Sequence, residues 1–174
     1  EMPSRIKGAA LSCILSDTLG FRSPTTTDLD RSTAQKLAED LKIDVQYFAS
    51  ELFKAKSDVS KYTDPELILM DSKKYDVGGK KLRISVMETT QPQEILGRKK
   101  SLLKAMKDIE AEEGVDQILF FVIDILKQEA ILFVPNKLVK EIAEKSFGTS
   151  CVEDTTILPG ILSRKKQIIP QLKV

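Results

Sequence analysis

The sequence reads ILFFVIDIL from Ile118 to Leu126 and, three polar residues later, AILFV from Ala130 to Val134. Both segments are almost entirely apolar, and both are short enough to be strands rather than helices. This pattern favours strands that lie inside a protein rather than on its surface. We therefore predict two buried strands here.

Helix and strand signals flank these two strands. Upstream, Gln91 to Glu113 carries a helical stripe of apolar residues that ends at Gly114, and an earlier hairpin turns at Gly78-Gly79. Downstream, Asn136 is a candidate cap for another helix, and the C-terminal end of the chain is predicted to form short strands. The order β-β-α-β-β-α-β predicts an α/β domain with a mixed β-sheet and flanking helices.

Three helices are predicted before this domain. Pro3 to Leu19 is apolar nearly all round, which is typical of a helix inside a larger body. A helix capped within Thr25–Asp28 follows, and an amphipathic helix begins near Val45. Lys54 to Thr63 is polar and is predicted to be a linker, after which Asp64-Pro65-Glu66 begins a short helix.

Composition restricts the class of protein. The chain has 174 residues, of which 41% are hydrophobic and 30% charged, as in ordinary globular proteins. The formal net charge of +1 argues against a nucleic-acid partner, because proteins that coat nucleic acid carry a marked basic excess. No segment reaches the roughly 18 apolar residues that span a membrane, and we expect neither a membrane partner nor a secretory leader. Cys13 and Cys151 lack metal-ligand spacing and are predicted to be reduced, buried residues of a cytoplasmic protein.

Three consecutive cations lie within Ser163–Gln167 (SRKKQ), with apolar residues on both sides. The apolar neighbours predict an edge strand or an ordered loop, which would hold Arg164 and Lys165 in fixed directions. Arginine offers a planar fork of donors and lysine a point charge, so fixed cations suit a multiply charged oxyanion such as phosphate. Taken alone, such a run is more often a solvated surface or a nucleic-acid patch.

Three motifs, in order along the chain, resemble one family. Ala9–Thr25 (AALSCILSDTLGFRSPT) resembles the end of the first domain of the family II, manganese-dependent inorganic pyrophosphatases. Asp71–Tyr75 (DSKKY) and Ser163–Gln167 resemble the two phosphate-binding segments of that family's C-terminal, DHHA2-type domain. The resemblance implies that residues 1–57 are the end of a DHH phosphoesterase domain with its linker, and that residues 58–174 are a DHHA2-type substrate-binding domain.

The resemblance also implies roles for four residues. In this family the DHH domain holds manganese with Asp and His residues, and the C-terminal domain closes over the substrate with cations. Asp17 is therefore expected to be a metal ligand, and Lys73, Arg164 and Lys165 are expected to bind pyrophosphate or phosphate. Because the chain contains no histidine, most of the Mn²⁺ site is missing. We expect the C-terminal portion of an enzyme that hydrolyses pyrophosphate to two phosphates, inactive without its DHH domain.

Other interpretations stay open. Asp17 could simply accept hydrogen bonds at the end of a buried helix, and Lys73 could protect an edge strand from pairing. A short-chain exopolyphosphatase or a related DHH phosphoesterase would use similar machinery, and a non-catalytic anion-binding module would keep the cations alone. Arg98–Lys100 is predicted to be the solvated face of a helix. The apolar N-terminal helix predicts contact with the missing DHH domain or with a second copy of the chain.

Overall fold

The computed structural model describes residues 2–151 and 153–174, which form two compact units. The first unit ends at Asp58, and its described residues form α1 (Ser4–Asp17), α2 (Asp28–Leu41) and α3 (Val45–Ser57). These elements confirm the three helices predicted for this part of the chain. Thr27 caps α2 as the sequence indicated, since its side chain accepts a hydrogen bond from the third N–H of the helix.

The first helix is buried along one side only. Leu11 and Leu15 are completely covered, whereas Ile6 is 48% exposed and Cys13 is exposed. Residues four apart lie on the same side of a helix, and Cys13 stands midway between the two leucines, on the opposite side. The prediction that Cys13 is a core residue is therefore wrong, while Cys151 is buried as predicted.

The second unit begins at Val59, and its described residues build one five-stranded sheet in the order β1-β2-β3-β4-β5. The second and third strands are parallel, and each other neighbouring pair is antiparallel, so the sheet is mixed. The predicted α/β fold class is confirmed. The strands are β1 (Ser72–Val77), β2 (Lys80–Thr89), β3 (Gln117–Asp124), β4 (Glu129–Phe133) and β5 (Thr155–Pro159).

Helices connect and cover these strands. The crossover from β2 to β3 consists of two helices, where the sequence predicted one, and a single helix joins β4 to β5. None of the described helices is long and apolar enough to cross a membrane. The helices of this unit are α4 (Asp64–Met70), α5 (Pro92–Gly97), α6 (Lys99–Glu113), α7 (Lys137–Phe147) and α8 (Ile169–Gln171).

The core of the second unit lies on both faces of the sheet. Every residue of β3 is buried, which explains why its sequence is apolar without alternation. On one face, Phe120 packs edge-on against Phe133 with ring centroids 5.4 Å apart, among apolar side chains of α4, α5 and α6. On the other face, Phe121 packs against Phe147 of α7 at 6.1 Å.

The boundary between the units differs from the predicted linker. The third helix continues to Ser57, so the first part of Lys54–Thr63 is helical. Val59 is only 3% exposed and belongs to the core of the second unit. Tyr62 packs against the same core, so two apolar residues anchor the second half of a stretch whose overall composition is polar.

The segment after β5 is helical rather than extended. Residues Arg164–Ile168 form a π-helical turn that leads into α8, so the prediction of an edge strand or loop there is wrong. Hydrogen bonds from nearby backbone groups to two side chains stabilise this turn. Ser163 Oγ accepts a hydrogen bond from the Lys166 N–H at 3.2 Å, and Gln167 Oε1 accepts hydrogen bonds from the N–H groups of Leu162 and Ser163 at 2.8 and 3.0 Å.

Candidate anion-binding site

Of the predicted binding residues, Arg164 is the one whose side chain is held in place by hydrogen bonds to other described residues. Its Nη1 donates to the backbone oxygen of Asp71 at 2.9 Å, and its Nη2 donates to Asp71 Oδ1 at 2.7 Å. Nη1 also lies 3.5 Å from the carbonyl oxygen of Ile84. The Arg164 side chain is 14% exposed, against 56% for Asp71. The guanidinium is therefore fixed against the start of β1, although Arg164 comes much later in the chain.

Lys73 lies on the strand pair that Arg164 contacts. In the register of β1 and β2, Lys73 stands directly opposite Ile84, and opposed residues place their side chains on the same face of a sheet. The structure thus brings the Lys73 position and the Arg164 guanidinium to the same part of the β1–β2 pair. The exposed Lys73 side chain forms no hydrogen bond or ion pair with any residue in the described ranges.

Lys165 follows Arg164 in the π-helical turn and is exposed. Within the part of the chain that the structure describes, its side chain has no hydrogen-bond or ion-pair partner. No contact therefore fixes its direction. Its charge stands next to Arg164 in sequence and is available to a ligand.

Unlike Lys73, the neighbouring Lys74 forms an ion pair within the described part of the protein. Its Nζ lies 3.2 Å from Glu113 Oε2, and Arg83 Nε donates to the same oxygen at 2.9 Å. Arg83 also donates from Nη1 to Ser72 Oγ at 2.6 Å. The hydrogen bond from Arg83 lowers the pKa of Glu113, and Lys74 adds to this effect. These groups form an ion-pair cluster on the opposite face of the sheet from Lys73.

The predicted solvated run Arg98–Lys100 is solvated only in part. Arg98 Nε donates to Asp64 Oδ1 at 2.8 Å, and its other nitrogens donate to two backbone carbonyls. Lys99 forms an ion pair with Asp154 at 2.6 Å. The prediction is therefore wrong for Arg98, which ties α4 to the start of α6, whereas Lys100 is exposed and has no partner in the described ranges.

Asp17 belongs to the first unit, as the last residue of α1. Its backbone oxygen accepts a hydrogen bond from Thr25 Oγ1 at 3.2 Å. The carboxylate is exposed, and no described residue donates a hydrogen bond to it. It is thus open to a ligand, and it does not have the local hydrogen-bonding role that was the alternative.

The residues present do not amount to a manganese site. The sequence has no histidine. In residues 2–151 and 153–174, no group of three or more His, Cys, Asp or Glu side chains could hold a metal ion. Of the described residues, Asp17 would provide one ligand at most, so they do not form such a site by themselves.

A mixed α/β unit that presents a fixed guanidinium beside exposed lysines is a candidate oxyanion-binding domain. Comparison with known proteins gives its family. Residues 50–174 match the DHHA2 domain, and the chain belongs to the DHHA2 domain family.

The relatives of this chain are longer proteins. It is 39% identical to the manganese-dependent inorganic pyrophosphatase of Methanocaldococcus jannaschii, over 99% of this chain and 56% of the relative. It is 35% identical to that of Bacillus subtilis, over 99% of this chain and 55% of the relative. It also superposes with a TM-score of 0.85 on the crystal structure of a Methanococcus jannaschii protein described as a family II inorganic pyrophosphatase, at 39% identity, over 98% of this chain and 55% of that one. The chain corresponds to the C-terminal part of these relatives and spans about half their length.

Proposed function

We propose that this chain supplies the substrate-binding domain of a manganese-dependent inorganic pyrophosphatase, which hydrolyses pyrophosphate to two phosphates. Residues 58–174 would form that domain, and residues 1–57 would be the end of a DHH domain with its linker. The observation that carries the proposal is the Arg164 guanidinium, fixed beside the strand pair that bears Lys73. The names of the relatives support pyrophosphate as the anion.

The cations act by neutralising charge. A guanidinium has five N–H groups, and the contacts of Arg164 with Asp71 and Ile84 use up to three of them, so at least two remain for phosphate oxygens. Lys73 and Lys165 add charges that no described protein group occupies. We assign Arg164 and Lys165 to the phosphate distal from the attacking group, and Lys73 to the same charge-neutralising shell. When the domain closes and excludes water, each of these interactions strengthens.

Manganese is proposed for the complete protein only. A metal held there would supply hydroxide at neutral pH and would relieve negative charge on the phosphate. From this chain, Asp17 is the proposed ligand, because its carboxylate is exposed and has no partner among the described residues. A preceding DHH domain would supply the others.

The first unit and the cysteines support the proposed partners and location. The side of α1 that exposes Ile6 and Cys13 is proposed to pack on the missing part of the DHH domain or on a second copy of the chain. Cys13 and Cys151 are both free thiols, which suits the reducing conditions of the cytoplasm.

We expect the chain to bind pyrophosphate but not to hydrolyse it. Calorimetry in metal-free buffer should detect binding that weakens as salt is added and that is further weakened by Lys73→Ala, while Lys100→Ala has no effect. A phosphate assay with excess Mn²⁺ should detect no release, because one carboxylate cannot hold the metals.

Metal-dependent turnover by the purified chain would contradict the proposal, as would equal binding by the Lys73→Ala and Lys100→Ala variants. Clearly tighter binding of tripolyphosphate than of pyrophosphate would favour the short-chain exopolyphosphatase.

A further inference from the structure

The residue that holds Arg164 is itself anchored in the sheet. Asp71 follows the last residue of α4 and precedes β1, and its backbone oxygen accepts a hydrogen bond from the Val86 N–H at 2.9 Å. The same oxygen and the carboxylate of Asp71 accept the two hydrogen bonds from Arg164. Asp71 therefore connects a fixed strand to a guanidinium that the sequence places 93 residues away.

We infer that Asp71 is a positioning residue, which aims the Arg164 guanidinium at pyrophosphate. The inference rests on the proposed function. Two hydrogen bonds from one planar group to one residue fix both the position and the plane of that group, so the remaining N–H groups also have fixed directions. The ligand then meets a preorganised donor and does not have to order a long side chain when it binds.

The position of Asp71 in the chain suits this role. Asp71 directly precedes β1, and Lys73 is the second residue of that strand. One short segment therefore carries both the anchor of Arg164 and Lys73. In the segment Asp71–Lys73 (DSK), Asp71 therefore orients one cation and Lys73 supplies another.

The negative charge of Asp71 should weaken anion binding, whereas its orientation of Arg164 should strengthen it. A carboxylate beside Arg164 partly cancels the attraction of the guanidinium for an anion. Asp71 is 56% exposed, so water screens its charge, whereas Arg164 is 14% exposed and depends on Asp71 for its orientation. We therefore expect orientation to dominate, and the sign of the change in affinity distinguishes the two effects.

The test compares Asp71→Ala with Asp76→Ala in the full chain. Asp76 is an exposed carboxylate on β1, in register with Lys81, and it does not contact Arg164. Asp71→Ala should weaken pyrophosphate binding in calorimetry by about tenfold or more, since it releases a preorganised donor. Asp76→Ala removes the same charge and should leave the affinity unchanged or slightly higher.

A second readout does not depend on pyrophosphate. The Nε–H signal of Arg164 in ¹⁵N NMR spectra should be that of an ordered side chain in the unsubstituted chain and in Asp76→Ala, and it should be averaged in Asp71→Ala. Asp71→Asn keeps an acceptor oxygen for Nη2, so it should preserve the fold. Its affinity for pyrophosphate and the order of its Arg164 signal should lie between those of the unsubstituted chain and of Asp71→Ala.

Unchanged or tighter binding by Asp71→Ala and Asp71→Asn, while the unsubstituted chain binds, would overturn the inference and leave the proposed function standing. An ordered Arg164 signal in Asp71→Ala would overturn it as well. If the unsubstituted chain bound no pyrophosphate, the proposed function would fail, and the inference would fail with it.

Discussion

Replacing Arg164 by lysine should weaken pyrophosphate binding by roughly tenfold to a hundredfold, although the charge is unchanged. Lysine has no planar fork, so it cannot hold Asp71 through two nitrogens and still direct further N–H groups at a phosphate. The affinity is measured by calorimetry in metal-free buffer at constant ionic strength.

The matched control for this variant is Arg5→Lys, the same chemical change at an exposed position of α1. Its affinity should equal that of the unsubstituted chain. Equal affinities of Arg164→Lys and Arg5→Lys would mean that Arg164 contributes only charge, which would contradict the proposed geometry of the site.

Replacing Arg83 by alanine should lower the free energy of unfolding by about 3 kcal/mol, the low end for breaking a buried ion pair. Arg83 is 8% exposed on β2 and donates to Glu113 and Ser72. Its removal leaves both partners without their donor, although Glu113 keeps Lys74. Unfolding in urea, followed by circular dichroism, gives the difference.

Lys74→Ala removes the other partner of Glu113 and is the control for Arg83→Ala. The Lys74 side chain is 51% exposed, so the loss should stay below about 1 kcal/mol. Similar losses of unfolding free energy in Arg83→Ala and Lys74→Ala would contradict the prediction, because the buried ion pair would then stabilise the fold no more than the exposed one.

Much of the fold could be predicted because local signals agree with it. The lengths of the apolar runs were sufficient to identify β3 and β4. The Gly78-Gly79 pair marked the hairpin turn, because this turn needs positive φ angles that residues with a side chain rarely adopt. The two glycines have φ angles of 58° and 76°. The cap at Asn136 marked the start of α7, since its side chain accepts a hydrogen bond from the Val139 N–H.

Other parts depend on contacts that local patterns do not contain. The π-helical turn after β5 forms because Gln167 and Ser163 bond to nearby backbone groups, which composition alone cannot reveal. Arg98 ends one helix and begins another while it reaches back to Asp64, so a continuous stripe of apolar residues concealed the break.

The candidate site shows the same division. The SRKKQ motif indicated Arg164 through its flanking apolar residues and through resemblance to a family, whereas DSKKY indicated Lys73 through the resemblance alone. The role of Asp71 was not visible in either motif, because it arises from a contact between segments far apart in the chain. Lys73 and Lys74 look alike in sequence, and only the sheet separates them onto opposite faces.

We expect pyrophosphate to bind where Arg164 meets the β1–β2 pair, and NMR mapping can locate the binding site. Pyrophosphate is titrated into the ¹⁵N-labelled chain without metal, and the shifted backbone and side-chain signals are assigned. The largest shifts should cluster at Asp71–Lys73, Ile84 and Arg164–Lys165. Shifts centred on Lys74 and Lys81, or on Lys99 and Lys100, or spread evenly over the surface lysines, would contradict it.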